Sequence, residues 1–318
     1  MAEAIRSPVE LCARLGLPAT LAEEAQAAAG DFPLLVPPGW LERIRPGDTE
    51  DPLLRQVLPR AEECRVVDGF SADPLAEAGA TCPAGVLKKY EGRALLLTAA
   101  ACAIHCRFCF RRHFPYGRLA AGAGQWGPAL RAIAADASIR EVILSGGDPL
   151  VLDDAELADL ARALAEIGHL ERLRVHTRLP IVVPQRVTDG LLAWLRGTRL
   201  TPIVVVHVNH PAEIDDQVAA ALAKLIDAGI PLLNQSVLLA GVNDRPEVLE
   251  ELCLRLVGLR VMPYYLHRLD RVAGAAHFEV SEEAGVRLIE SLRDRLPGYA
   301  VPRLVRETPG RPAKEPLA

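Results

Sequence analysis

From Arg93 onward the apolar residues gather into short runs near 93–99, 140–145, 171–176, 201–208, 230–237 and 258–265, and after the first gap the runs recur about every 30 residues. Runs this short and this rich in Val, Ile and Leu predict buried strands. The stretches between them carry helical spacing instead. Leu157, Leu160, Leu164 and Ile167 repeat on one face before Gly168, a natural stop, and Leu222, Leu225 and Ile226 do the same before Gly229. Ser281 stands where it can cap a helix that carries Val286, Ile289 and Leu292 to a stop at Pro297. Strands alternating with helices predict parallel βαβ units, and six of them predict an α/β fold, a partial (βα)6 TIM-like barrel with its active residues where the strands end.

The first 85 residues read differently, as a helical N-terminal extension rich in Ala, Glu and Pro. Thr20 with Glu23 predicts a capping box for a helix through Ala29. Pro33, Pro37 and Pro38 then break any helix, and Asp51-Pro-Leu-Leu-Arg-Gln predicts the cap and start of another. This pattern predicts a lid or scaffold. The barrel is expected over 86–300 and a C-terminal tail over 301–318.

Polar clusters sit where the predicted strands end. They are the cysteine-rich stretch after the first, Ser145-Gly-Gly-Asp-Pro149 after the second, His176-Thr-Arg178, His207-Val-Asn-His210, Asn234-Gln235 within the fifth, and Tyr264-Tyr-Leu-His-Arg-Leu-Asp270. One Gly-Gly alone is an ordinary turn. Six polar clusters at six strand ends are hard to explain by packing.

Length and composition narrow the classes. The 318 residues, 50% of them apolar, are enough for one large barrel or two ordinary domains. The net charge of −5 gives no sign of nucleic-acid binding. No signal peptide is recognisable and no apolar run reaches the roughly 18 residues of a membrane helix. A cytoplasmic protein is expected. Cys12, Cys64, Cys82 and Cys253 are scattered and read as small apolar residues rather than disulfide partners.

The remaining cysteines form Cys102-Ala-Ile-His-Cys106-Arg-Phe-Cys109. Three thiolates this close can converge on one soft metal centre. Two readings stay open on spacing alone: a structural zinc completed by His113, as in a zinc-stabilised binding module, or an iron–sulfur cube held by three cysteines with one iron left open.

On the motifs Cys-Arg-Phe-Cys-Phe-Arg-Arg-His-Phe-Pro-Tyr, Leu-Ser-Gly-Gly-Asp-Pro-Leu, Asn-Gln-Ser-Val-Leu-Leu and Gly-Ala-Ala-His-Phe, the chain from about Asp51 onward resembles the lysine 2,3-aminomutase family of radical S-adenosylmethionine (SAM) enzymes. Within it the chain looks most like the branch that makes β-lysine for attachment to elongation factor P (EF-P). The resemblance implies a [4Fe–4S] cluster on Cys102, Cys106 and Cys109, SAM, and pyridoxal 5′-phosphate (PLP). Gly146, Gly147, Arg178, His207 and Gln235 would contact SAM. Arg111 would grip the carboxylate of the L-lysine substrate, and Asp270 with Glu307 its distal ammonium. Arg93 would meet PLP, and Lys314, four residues from the C-terminus, would carry it.

By its position alone Lys314 would be a solvated tail lysine. Of the other lysines, Lys224 falls in a predicted helix, and Lys88 and Lys89 precede the first strand of the predicted barrel. Two departures from the founding aminomutases favour the EF-P branch. Glu307 replaces an aspartate, and their zinc-binding tail has no counterpart here. Activity would need a reducing electron donor, and the family link extends to EF-P and its β-lysine ligase. A free-standing metabolic aminomutase and a radical enzyme without PLP are the rival enzymes. Whether the chain forms a homo-oligomer leaves no readable trace.

Overall fold

The computed structural model describes residues 3–30, 32–80, 85–116 and 125–318. Cys82 lies outside them. One nine-stranded sheet runs in chain order: β1 (Val86–Tyr90), β2 (Arg93–Ala99), β3 (Glu141–Gly146), β4 (Arg172–Thr177), β5 (Thr201–His207), β6 (Leu232–Val237), β7 (Met262–His267), β8 (Arg303–Arg306) and β9 (Glu315–Pro316). Neighbours from β2 to β8 pair in parallel, while β1 and β9 are antiparallel at the two edges.

Two helices of eight residues or more precede the sheet among the described residues, α1 (Pro8–Leu15) and α2 (Ala19–Ala28). Six follow β2 to β7 in turn: α3 (Gly127–Ala134), α4 (Asp154–Ala165), α5 (Asp189–Arg196), α6 (Asp216–Asp227), α7 (Pro246–Gly258) and α8 (Glu282–Arg295). Six βα units form the expected TIM-like partial barrel, and β8 adds a seventh parallel strand. Segment 301–318 thus contributes an edge hairpin to the sheet as well as the chain end.

The helical stripes face inward as their spacing requires. Leu157, Leu160 and Leu164 of α4 are fully buried, each gaining roughly 2 kcal/mol from leaving water. Ser281 caps α8 by accepting from Ala284 N. Asp51 caps its short helix through bonds from Leu53 N and Leu54 N. The capping box on Thr20 does not form: α2 begins at Ala19 behind Pro18, which puts Thr20 inside the first turn. The sixth strand starts later than its apolar run. Residues 258–260 close α7, and Arg260, at φ 63°, turns the chain before β7.

The extension is bonded onto the cysteine stretch. Glu63, buried, chelates Arg107 and also binds Arg112. Gln56 O accepts from Arg107 N, and Leu35 O from His105 N. Among the described residues no helix is long and apolar enough to cross a membrane.

Candidate active site

The candidate residues from the three cysteines to Lys314, His113 apart, line one cavity of about 300 Å³, most of them at or beyond the C-terminal ends of the strands and Arg93 at the start of β2. Each arrives by strand alternation or from the loop that follows. Arg174 and His176 point inward from β4, while Leu173 and Val175 are buried on its other face.

In the cysteine stretch the thiols line the cavity and the residues between them anchor the backbone. Arg107 is fully buried on Glu63 and the carbonyl of Phe32. Phe108 stacks on His207 at 5.7 Å and meets Phe278 edge-on. Burial, then the charges of Cys109 and Asp148, push the Cys102 thiol up, and burial with Cys106 moves Cys109 to about 11. Thiols that hinder one another's ionisation in a dry site suit a cationic metal, which supplies the missing charge. Among the described residues no three His, Cys, Asp or Glu are already drawn into a coordination set. Arg178 Nη1 lies 2.6 Å from Cys106 Sγ.

His113 does not complete a zinc set. It is exposed, with Nε2 3.1 Å from Ala273 O, and lies outside the cavity lining. The three thiols face the cavity without it.

Gly146 and Gly147 abut the segment that leads into Cys102. A Cβ on Gly146, whose φ is 123°, would fall 2.4 Å from Ala99 O, and one on Gly147 would fall 2.2 Å from Ala101 O. Their missing side chains therefore let the end of β3 pack against the cysteine loop. Gly146→Ala combines a strained backbone with a backbone clash and is expected to cost roughly 3 kcal/mol or more. Denaturant unfolding beside Gly168→Ala, where a Cβ meets nothing within 4 Å, checks this. Equal midpoints for the two variants would refute it.

Arg178 spends its guanidinium on Gln56 and Glu213 besides Cys106, and lies over the Trp40 ring. Its Nε, like Nε2 of His176 and of His207, is buried with no partner. Burial holds both imidazoles well below their ordinary range, so they are neutral. Orphaned polar atoms beside a cavity fit a polar cofactor. Gln235 lines the same wall. Arg93 packs over the Tyr90 ring at 4.7 Å.

The tail lysine is brought in by the β8–β9 hairpin, which pairs Arg306 with Glu315 and so returns Lys314 to Glu307. Lys89 of β1 binds the other Glu307 oxygen at 2.8 Å and Glu77 at 2.7 Å. An edge strand is thereby tied to the end of β8 across the open side of the barrel. Lys89 was set aside by its place before the barrel; pairing of β1 with β2 carries it into the cavity. Arg111 is chelated by Glu77, Nε to Oε2 at 2.6 Å and Nη2 to Oε1 at 3.0 Å, and its Nη1 reaches Ser145 and Gly146 O. Glu77 is a further member that no motif announced, and His267 of the last strand-end cluster lines the same cavity.

Asp270 is held far above its ordinary range. Burial, then the charge of Glu307, raise it to about 7 against the pull of Lys314 and Lys89. Lys314 and Lys89 hold Glu307 itself well below the usual carboxylate range despite its burial.

The chain is 45% identical over 311 residues to the L-lysine 2,3-aminomutase of Haemophilus influenzae, covering 98% of this chain and 92% of that one. The L-lysine 2,3-aminomutase of Escherichia coli is 44% identical over 322 residues, 100% of this chain and 93% of its own. That of Clostridium subterminale is 36% identical over 95% of this chain and 73% of its own. No family model matches. Among solved structures, Streptococcus suis SuiB bound to S-adenosylmethionine superposes with a TM-score of 0.52 at 16% identity, over 69% of this chain and 51% of SuiB. SuiB bound to its precursor peptide SuiA gives 0.50 over 66% and 47%. This chain spans about half the length of that neighbour, and the likeness is one of fold.

Proposed function

The chain belongs to the lysine 2,3-aminomutase family, and from that premise we propose that it converts L-lysine to β-lysine, moving the amino group from C2 to C3 with a [4Fe–4S] cluster, SAM and PLP. One observation carries the reading: three cavity-facing thiols and the Lys314 amine line a single cavity together with Arg111 and Asp270.

The cofactors supply hydrogen-atom abstraction and a hold on the migrating nitrogen. The chain supplies geometry. Cys102, Cys106 and Cys109 would hold the cluster; the wall of Gly146, His207 and Gln235 would seat SAM; Lys314 and Arg93 would hold PLP. Arg111 would fix the carboxylate of lysine, and Asp270 with Glu307 its distal ammonium, which leaves C3 as the carbon presented for reaction. Anaerobic incubation with reductant, SAM, PLP and lysine, followed by product analysis, tests this; absence of β-lysine from iron-replete protein would sink it.

Asp270 gives the reaction a pH signature. An arriving ammonium favours the ionised carboxylate, so the KM for lysine should rise as pH falls below about 7, approaching tenfold per pH unit. In the empty protein the raised value works the other way: Asp270 contributes stability at acid pH that is lost as pH rises through about 7. Asp270→Asn should raise KM at pH 8 and flatten the profile. A KM that ignores pH between 6 and 8 would remove Asp270 from the ammonium site.

The use of the product belongs to the same proposal. Resemblance to the EF-P branch supports β-lysine made for the EF-P ligase in the cytoplasm. Loss of β-lysyl EF-P on gene deletion is expected; its persistence would favour a metabolic aminomutase.

A further inference from the structure

Five side chains form an unbroken line of alternating charge across the cavity mouth: Arg111, Glu77, Lys89, Glu307 and Lys314. Under the function proposed above, on which this inference rests, Arg111 and Glu307 are the groups that grip the two ends of lysine. Between them, the Glu77 carboxylate lies on Arg111 at 2.6 and 3.0 Å, and the Lys89 ammonium lies on Glu307 at 2.8 Å. Glu77 and Lys89 are themselves 2.7 Å apart. A lysine molecule offers the same two charges to the same two partners.

We propose that Glu77 and Lys89 act as an internal substitute for the substrate, a carboxylate and an ammonium that fill the amino-acid subsite when it is empty and withdraw together as one neutral pair when lysine enters. A side-chain exposure of 7% for Arg111 explains why a substitute carboxylate is needed, and Lys89 neutralises that carboxylate in turn. A charge that deep with no partner is strongly destabilising. The two members sit where movement is feasible: Glu77 begins a short turn, Glu77–Ala80, and Lys89 lies on an edge strand paired on one side.

The exchange also sets specificity. A ligand with both charges replaces both contacts, while a ligand with a carboxylate alone displaces Glu77 from Arg111 and leaves Lys89 on Glu307. Discrimination then follows from the contact that is not remade.

The test is calorimetric titration of lysine and of norleucine, which lacks the distal amine, into cofactor-reconstituted protein without reductant, so that no turnover occurs. Glu77→Gln should bind both ligands about tenfold tighter, because neither has a charged rival for Arg111 to displace. Lys89→Met should bind lysine about tenfold tighter and norleucine as the wild type does. Unchanged or weaker lysine binding in either folded variant overturns the proposal and makes the pair a fixed support. If Glu77→Gln fails to fold, Lys89→Met with the two ligands decides alone. Wild-type protein that binds no lysine would bring down the functional reading itself, a result distinct from wild-type binding that the variants fail to tighten.

Discussion

Replacing Lys314 by alanine is expected to abolish β-lysine formation, by roughly 10³-fold or more, since an amine that carries PLP has no substitute in the rest of its chemistry. The same variant should lose the absorbance of PLP bound to an amine. The argument is structural. The β8–β9 hairpin folds the chain end back so that Lys314 meets Glu307 and lines the cavity that the cysteines also line. Glu307 holds that amine in the cavity. Lys89 is the instructive control, because it is the second amine on the same carboxylate. If Lys89 carried PLP, the absorbance would vanish from Lys89→Ala and survive in Lys314→Ala. Turnover near the wild-type level in Lys314→Ala would end the assignment.

Much of this was legible beforehand, for definable reasons. Helical stripes such as Leu157, Leu160 and Leu164 repeat at the helical period and are buried as that period requires. The parallel strands are doubly covered, so they read as continuous apolar runs. Strand-end clusters identified the mouth because the barrel gathers such ends regardless of their sequence separation. What escaped was non-local. Glu77 and Lys89 acquire meaning only from partners at 111 and 307, and no local spacing encodes such a pairing. The short strand β8 contains Arg303 and Arg306, and β7 rather than its own pattern recruits it. Arg178 was legible as a site residue, but its hold on Cys106, Gln56 and Glu213 depends on three separate segments meeting.

The cavity can also be understood as a balance of fixed charge. Lys314 and Lys89 share Glu307, which leaves Asp270 the acid without a cation of its own hydrogen-bonded to it among the described contacts. Asp270 would therefore meet an arriving ammonium with no cation to displace, whereas Glu307 would exchange Lys89 for it. Glu307 in turn governs the Lys314 amine. The two acids that the sequence presented as a matched pair are shifted in opposite directions in the folded site, Asp270 upward by burial and Glu307 downward by its two lysines.

Cys106→Ser should yield protein without its iron and with turnover at background. Cys106 lies midway in the cysteine stretch, and its thiol is the one in contact with Arg178. A serine oxygen is a poor replacement for a soft thiolate at an iron–sulfur centre. Two changes elsewhere make the comparison specific: Cys64→Ser, on the exposed surface, and Cys253→Ser, on the buried face of α7, should retain iron and colour. A variant at 106 that kept a full cluster would show that some other residue completes the ligand set. Uptake of one zinc and no iron by anaerobically purified wild type would displace the radical reading altogether, and with His113 turned to Ala273 O the fourth zinc ligand would have to come from elsewhere in the cavity wall.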